Sequence, residues 1–199
     1  MTDFRTAGTI GERIQAARKM RGLNAQQLAN AVGNPSVTES IIANIETGRK
    51  GDLSVSQLLN IAYALQLSPT YLLAAMGAPQ RPIDLPNVSE GIEAMTSIEF
   101  DAWISGFATG PMTWGTVTED TERNQLKALR ELDHQLRERK RLAGVLALEE
   151  EAPVTAAEIE ARQLWDTTEE RLIRTTMRIT QLETYLSSAG WELNDWSNE

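Results

Sequence analysis

Residues Ser36–Gly51 read SVTESIIANIETGRKG, and this stretch decides the fold. Thr38 stands where a helix N-cap belongs, and the helix it opens runs from Glu39 to Thr47. Ile42 and Ile45 form its inner face, with Ile41 at the edge, and Gly48 ends it. That leaves Glu39, Ser40, Ala43 and Asn44 facing outward, followed by the cations Arg49 and Lys50. A short helix of this kind fits a DNA major groove, about 12 Å wide, with its outer face free to read base edges. The same spacing suits the solvated face of an ordinary helical bundle, so the flanking sequence must decide.

Upstream, Ile10 to Arg21 places Ile14, Ala17 and Arg18 at helical spacing and stops at Gly22. Asn24 caps a second helix, Ala25 to Val32, with Leu28, Ala29 and Val32 on one face and Gly33 closing it. Asn34-Pro35-Ser36 is a loop. Downstream, Ser54 caps a fourth helix reaching about Leu65, with Leu58, Leu59, Ile61, Ala62 and Leu65 inward. Ser68-Pro69 starts a fifth, Thr70 to Met76, because proline suits a first helical turn. Residues 1–77 thus read as one five-helix domain. Gly77-Ala78-Pro79-Gln80-Arg81-Pro82 then reads as a linker. Residues 78–118 hold that linker and a short helix around Ser97 to Ile104, edged by Phe100, Trp103 and Ile104.

Residues 119–199 read as two long helices. The first runs from about Glu119 to Leu148, with Leu129, Leu132, Leu136, Ala143 and Leu146 on alternating spacings of three and four and Arg139 in the remaining slot. The second starts at Thr155, where Thr155 and Glu158 fit a capping box, and ends at Gly190. Its Trp165, Leu172, Ile179 and Leu186 repeat every seven residues. Joined by a short loop over Glu149 to Val154, the two form an antiparallel helical hairpin. Two readings of its seam stay open. It either packs the hairpin on itself, or pairs two chains, with Leu129, Leu132, Leu136, Trp165, Leu172, Ile179 and Leu186 as dimerisation residues. The expected class is all-α throughout.

Composition narrows the chemistry. The 199 residues include no cysteine and one histidine, His134, which argues against a metal site or a nucleophilic triad. No cofactor is expected. The start, MTDFRTAGTIGERI, lacks the apolar core of a signal peptide, and no apolar run approaches the roughly 18 residues of a membrane span. A cytoplasmic protein without membrane contact is expected. The net charge of −9 is uneven. Residues 1–77 carry seven Lys/Arg against five Asp/Glu, whereas residues 78–199 carry twelve against twenty-three. A slightly basic head on a strongly acidic body suggests two jobs.

The sequences IGERIQAARKMRGLNAQQLANAVG and SVTESIIANIETGRKGDLSVSQLLNIAYALQLSPTYLL together resemble the Xre-type, lambda-repressor-like helix-turn-helix family. The resemblance covers about residues 9–76 and rests on RKxRGLxxxxLA, IxxIExG and LLxIAxALxxxPxxLL taken together. It implies a five-helix DNA-binding domain whose third helix reads the major groove. On that resemblance Thr38 caps the reading helix and donates to a phosphate. Glu39 and Ser40 face bases, and Asn44 reaches a base or a phosphate. Asparagine pairs bidentately with adenine, and glutamate accepts from the cytosine amino group. Asn24 and Gln26 meet the backbone at a helix N-terminus. Arg49 and Lys50 touch phosphates, although they also read as solvated loop charges. Arg18 and Glu46 form a buried ion pair, structural before functional.

Two departures from the family pattern stand out. The turn through Asn34-Pro35-Ser36 is longer than usual by about three residues, and Glu39 puts a negative charge where many relatives carry Gln, Arg or Ser. A head this weakly basic binds DNA poorly alone, so more than one head per site is expected. The resulting expectation is a sequence-specific transcriptional regulator, most simply a homodimeric repressor of phage or prophage immunity type, bound to operator DNA. An antirepressor or another protein is a possible partner of the C-terminal half. The rival is an antitoxin that binds a toxin through its acidic half and autoregulates its operon. Self-cleavage is disfavoured: beyond residue 77 the lysines are Lys127 and Lys140, both on a long helix, where no Ser/Lys pair is in view. The protein is not expected to be an enzyme.

Overall fold

The computed structural model describes residues 3–107, 117–151 and 166–193. Among them are nine α-helices and no strand, apart from one isolated antiparallel bridge between Pro82 and Thr96. The chain divides into two compact units, Met1–Thr113 and Trp114–Glu199.

The first unit contains α1 (Ile10–Met20), α2 (Ala25–Val32), α3 (Glu39–Glu46), α4 (Val55–Ala64), α5 (Thr70–Leu73), α6 (Glu90–Glu93) and α7 (Ser97–Ile104). Local chemistry sets the starts. Thr9, Asn24, Ser54 and Thr96 each accept from the third helical N–H, and Glu12, Gln27, Gln57 and Glu99 return the bond to the cap, four complete capping boxes. Gly22, Gly33 and Gly48 take left-handed φ values of 69°, 63° and 72° just past α1, α2 and α3, where a side chain would be strained. Ile14, Leu28, Val37, Ile42, Ile45, Ile61, Leu65 and Leu72 make the core. Leu59 departs from expectation. It is 48% exposed on α4, because Ile61, Ala62 and Leu65 already fill the inner arc.

The fifth helix is shorter than expected. It ends at Leu73, and Ala74 turns extended at φ −136° and ψ 150°. The cause lies downstream. Ala74 is buried against Ile83, Met95 and Phe100, a second small core that a longer helix would not reach. The stretch expected as a linker is therefore packed. Gly77 donates its N–H to the Arg5 carbonyl at 2.8 Å, and Arg81 Nη1 donates to the Thr6 carbonyl at 2.8 Å. Ile83 N–H donates to Met95 O, and Ser97 N–H to Arg81 O. On α7, Phe100 is buried and Trp103 half-buried, while Ile104 is exposed.

The second unit pairs α8 (Val117–Glu151) with α9 (Thr168–Ser188). The pair is antiparallel: Arg178 meets Glu131, Arg171 meets Glu138 and Thr168 meets Glu149. Ala128, Leu132, Ile179, Leu182 and Leu186 are buried between the helices, with Leu129 and Leu136 partly buried beside them. Leu172 is half-buried. Ala143 is exposed, and its neighbour Leu142 is buried instead, so the seam slips by one position there. The helix expected to run unbroken from Thr155 does not: α9 begins at Thr168, where an extended Thr167 and Glu170 form its capping box, so Asp166 and Thr167 lie outside any helix. The expected box at Thr155 and the seam residue Trp165 lie outside the described residues.

Candidate nucleic-acid interface

Two helix starts and one glycine turn build this surface. Ile42 and Ile45 fix the roll of α3 by burial, at 0% and 1% exposure. With that face inward, Glu39, Ser40 and Ala43 are exposed and Asn44 is half-buried. Thr38 Oγ1 accepts from the Ile41 N–H at 3.3 Å, so its own O–H remains a donor. Asn24 Oδ1 accepts from the Gln27 N–H at 2.8 Å, which leaves its amide N–H groups to donate. Gln26 donates to Asn30 Oδ1 at 2.9 Å across one turn of α2. Gln26, Asn30, Thr38, Glu39 and Ser40 line one open groove between α2 and α3.

The long turn is anchored. Asn34 Oδ1 accepts from the Ser36 N–H at 2.9 Å, and Val37 N–H returns to the Asn34 carbonyl at 2.9 Å. Val37 is 2% exposed. Gln57 on α4 donates from Nε2 to the Ser36 carbonyl at 2.8 Å while its Oε1 serves the Ser54 cap. The added residues therefore form a fixed shoulder beside the groove. Asn30 and Gln57 were not identified from sequence. Asn30 had one usable signal, its position four residues after Gln26.

At the other end of α3, Lys50 N–H donates to the Asn44 carbonyl at 3.0 Å. This bond holds the Gly48 turn closed and keeps Arg49 and Lys50 beside Asn44. Neither side chain has an ion-pair partner among the described residues. Asn24, at the start of α2, caps its own helix and does not line the groove.

Arg18 and Glu46 tie α1 to α3. Arg18 Nε and Nη2 each donate to a Glu46 carboxylate oxygen at 2.6 Å, and Nη1 donates to the Leu23 carbonyl at 2.7 Å. The hydrogen bonds to Glu46 hold the guanidinium above its ordinary range. A fork of this kind fixes angle as well as distance. Glu46 is the last residue of α3, so the pair sets the pitch of the outward face.

Arg13 was missed in the sequence, and it is the most buried charge in the unit. It is 0% exposed. Its guanidinium donates to the carbonyls of Ala7, Gly8, Leu72 and Leu73 and to Asp84 Oδ1, the last at 2.7 Å. It thereby joins α1, α5 and the segment after α5. The available signal was a charge at position i+3 from Ile10 and i−4 from Ala17, on the inner arc of α1.

Residues 11–77 match the family model described as a helix-turn-helix domain. No curated protein and no solved structure matches the chain. No helix among the described residues is long and apolar enough to cross a membrane. Helix-turn-helix domains are DNA-binding modules of the kind that transcription regulators carry. With α2 and α3 set across a glycine-closed turn over one core, residues 11–77 are a helix-turn-helix domain of the family they match.

Proposed function

We propose that the protein is a sequence-specific transcriptional repressor that places α3 in the major groove of operator DNA. The observation that carries this reading is the outward set on α3. Glu39, Ser40 and Asn44 project from a helix whose opposite face is locked by Ile42 and Ile45, with Arg49 and Lys50 at its exit. Glu39 and Ser40 would face base edges, and Asn44, one turn on, would reach a base or a phosphate. Thr38, Asn24, Gln26, Arg49 and Lys50 would meet phosphates, which position the head without reading sequence.

The head carries a net charge of only +2 over residues 1–77. Few phosphates are then neutralised, and one head alone holds DNA weakly and in a salt-sensitive way. A homodimer supplies the second head, with half-sites about one helical turn apart. Repression would follow from occlusion of polymerase and needs no catalysis. The phage or prophage setting is the finer form of this reading.

Selection of bound sites from random duplex DNA with the full-length chain tests it. A palindromic motif is the expected outcome. A single asymmetric motif bound by one chain would end the dimeric form of the proposal, and no enriched motif would end the sequence-specific form. The antitoxin reading draws on the acid excess of residues 78–199, twenty-three Asp/Glu against twelve Lys/Arg. A small basic protein that co-purifies and releases the chain from DNA would favour it.

A further inference from the structure

The residues that lengthen the turn between α2 and α3 are exposed, yet their backbone is held at three points. The Ser36 N–H donates to Asn34 Oδ1 at 2.9 Å, the Ser36 carbonyl accepts from Gln57 Nε2 at 2.8 Å, and the Val37 side chain behind them is 2% exposed. Gln57, the brace on α4, is itself buried. Asn34, Pro35 and Ser36 therefore present their side chains from a fixed frame, which has little freedom left to lose on binding.

What this frame presents is a set of donors. Asn30, on the last turn of α2, and Asn34 both line the open groove beside Thr38, Glu39 and Ser40. Their oxygens are taken: Asn30 Oδ1 accepts from Gln26 Nε2 at 2.9 Å, and Asn34 Oδ1 accepts from the Ser36 N–H. An amide whose oxygen is engaged has its NH2 group left to give. Thr38 is in the same condition, with Oγ1 accepting from the Ile41 N–H and its O–H free to donate. A base edge mixes donors and acceptors, whereas the non-bridging oxygens of a phosphodiester only accept. Neutral donors in one groove suit the phosphodiester. Glu39, at the start of α3, repels that backbone, so a second hold on it nearby has a task.

We propose that Asn30 and Asn34 bind the phosphate backbone of DNA beside the groove that α3 enters, and that the extension over residues 34–36 places Asn34 for this contact. The inference rests on the DNA-binding reading above and adds two residues which that reading does not use. Neutral donors release no counterion, so the contact adds affinity without steepening the dependence on salt. That suits a head whose net charge is only +2 over residues 1–77. A bond to phosphate carries no base information, so it strengthens selected and unrelated duplexes alike.

Asn30→Ala and Asn34→Asp in the full-length chain test the proposal, by titration of the selected duplex and a scrambled one at several salt concentrations. Asn30 is exposed on a helix, where alanine is the better former, and aspartate keeps the oxygen that closes the Asn34 turn. Both proteins should therefore keep the wild-type circular dichroism and thermal midpoint. Asn30→Ala should weaken both duplexes about tenfold, the worth of one hydrogen bond to a charged group, with an unchanged salt slope. Asn34→Asp should weaken them further, because a carboxylate replaces the donor. Ethylation of single phosphates locates the contact: at the contacted position it should weaken the wild-type complex and leave the Asn30→Ala complex no weaker. Wild-type affinity in both variants would overturn the contact. A loss confined to the selected duplex would mean that the amides read a base, and a lowered salt slope would mean that they act through Arg49 or Lys50; either overturns the assignment. A chain that binds all duplexes equally, yet loses affinity in both variants, sinks the operator reading alone. One that selects a palindrome and ignores both substitutions sinks this inference alone, and one that binds no duplex sinks both.

Discussion

Gly11 on α1 lies against the last turn of α3 so closely that a Cβ there would stand 2.3 Å from the Ile45 carbonyl oxygen and 3.2 Å from its carbon. The neighbour is backbone, which cannot swing aside. Two helices that share no covalent restraint are thus set at a fixed separation by the absence of one methyl group. Together with the Arg18–Glu46 fork, this contact determines how far α3 stands out from the domain.

The first prediction follows from that contact. Gly11→Ala should destabilise the first unit by about 1–3 kcal/mol, the usual cost of overpacking a tight site. Gly144→Ala on α8 meets nothing within 4 Å. It should raise stability by about 0.5–1 kcal/mol, since alanine outranks glycine in a helix. Denaturant unfolding of the two variants checks the opposite signs. A Gly11→Ala protein as stable as wild type would mean that α1 and α3 are free to separate.

The segment after α5 leads to a second prediction. Residues 78–107 add Asp84 to Arg13 and cover Ala74 with Ile83, Met95 and Phe100. A fragment of residues 1–107 should therefore unfold at higher denaturant than residues 1–80. Arg13→Met should cost the longer fragment about 3–5 kcal/mol, because four carbonyls and a carboxylate lose their donor at once. Equal midpoints for the two fragments would show that the segment adds nothing to the head.

These two cases mark what the sequence disclosed. Caps, glycine stops and spacings of three and four are local signals, and they located α1 to α4 to within a residue or two. The fork of Arg18 and Glu46 was legible through family resemblance, 28 residues apart as the two are. Arg13 was not, because its partners are mostly backbone carbonyls that no side-chain pattern advertises. The docking of residues 78–107 was hidden for a related reason. Gly77, Pro79 and Pro82 write turns, and a turn sequence does not say whether the chain beyond it leaves or folds back. On α9 the heptad count found the inner seam, where Ile179 and Leu186 are buried against α8.

A third prediction concerns acid. The side-chain hydrogen bond from Arg178 holds the Glu131 carboxyl below the ordinary glutamate value of 4.5. A carboxyl lowered in the folded state stabilises that state above its unfolded value and loses the contribution as the pH falls through its folded one. The hairpin should therefore weaken below about pH 4.5, and Glu131→Gln should flatten that part of the profile. The pair is partly exposed, so its worth stays under about 1 kcal/mol. Thermal unfolding of both proteins between neutral pH and the acid limb measures the slope. Identical slopes would leave Glu131 without a role in it.

The last prediction separates reading from holding on α3. Asn44 and Lys50 are neighbours, joined by the bond from the Lys50 N–H to the Asn44 carbonyl, yet their side chains differ in kind. An amide pairs with one base edge, whereas an ammonium meets any phosphate as a point charge. Asn44→Ala should lower affinity for the selected site by about 1–3 kcal/mol and relax preference at one base position. Lys50→Ala should weaken selected and unrelated duplexes alike and reduce the salt slope by about one. The Asn44 carbonyl survives both substitutions, so the Gly48 turn is kept and neither result can be laid to its loss. Titrations at several salt concentrations, on the selected site and on a scrambled duplex, read both effects together. If Asn44→Ala weakens the two duplexes equally, Asn44 holds phosphate, and the reading of bases falls to Glu39 and Ser40 alone.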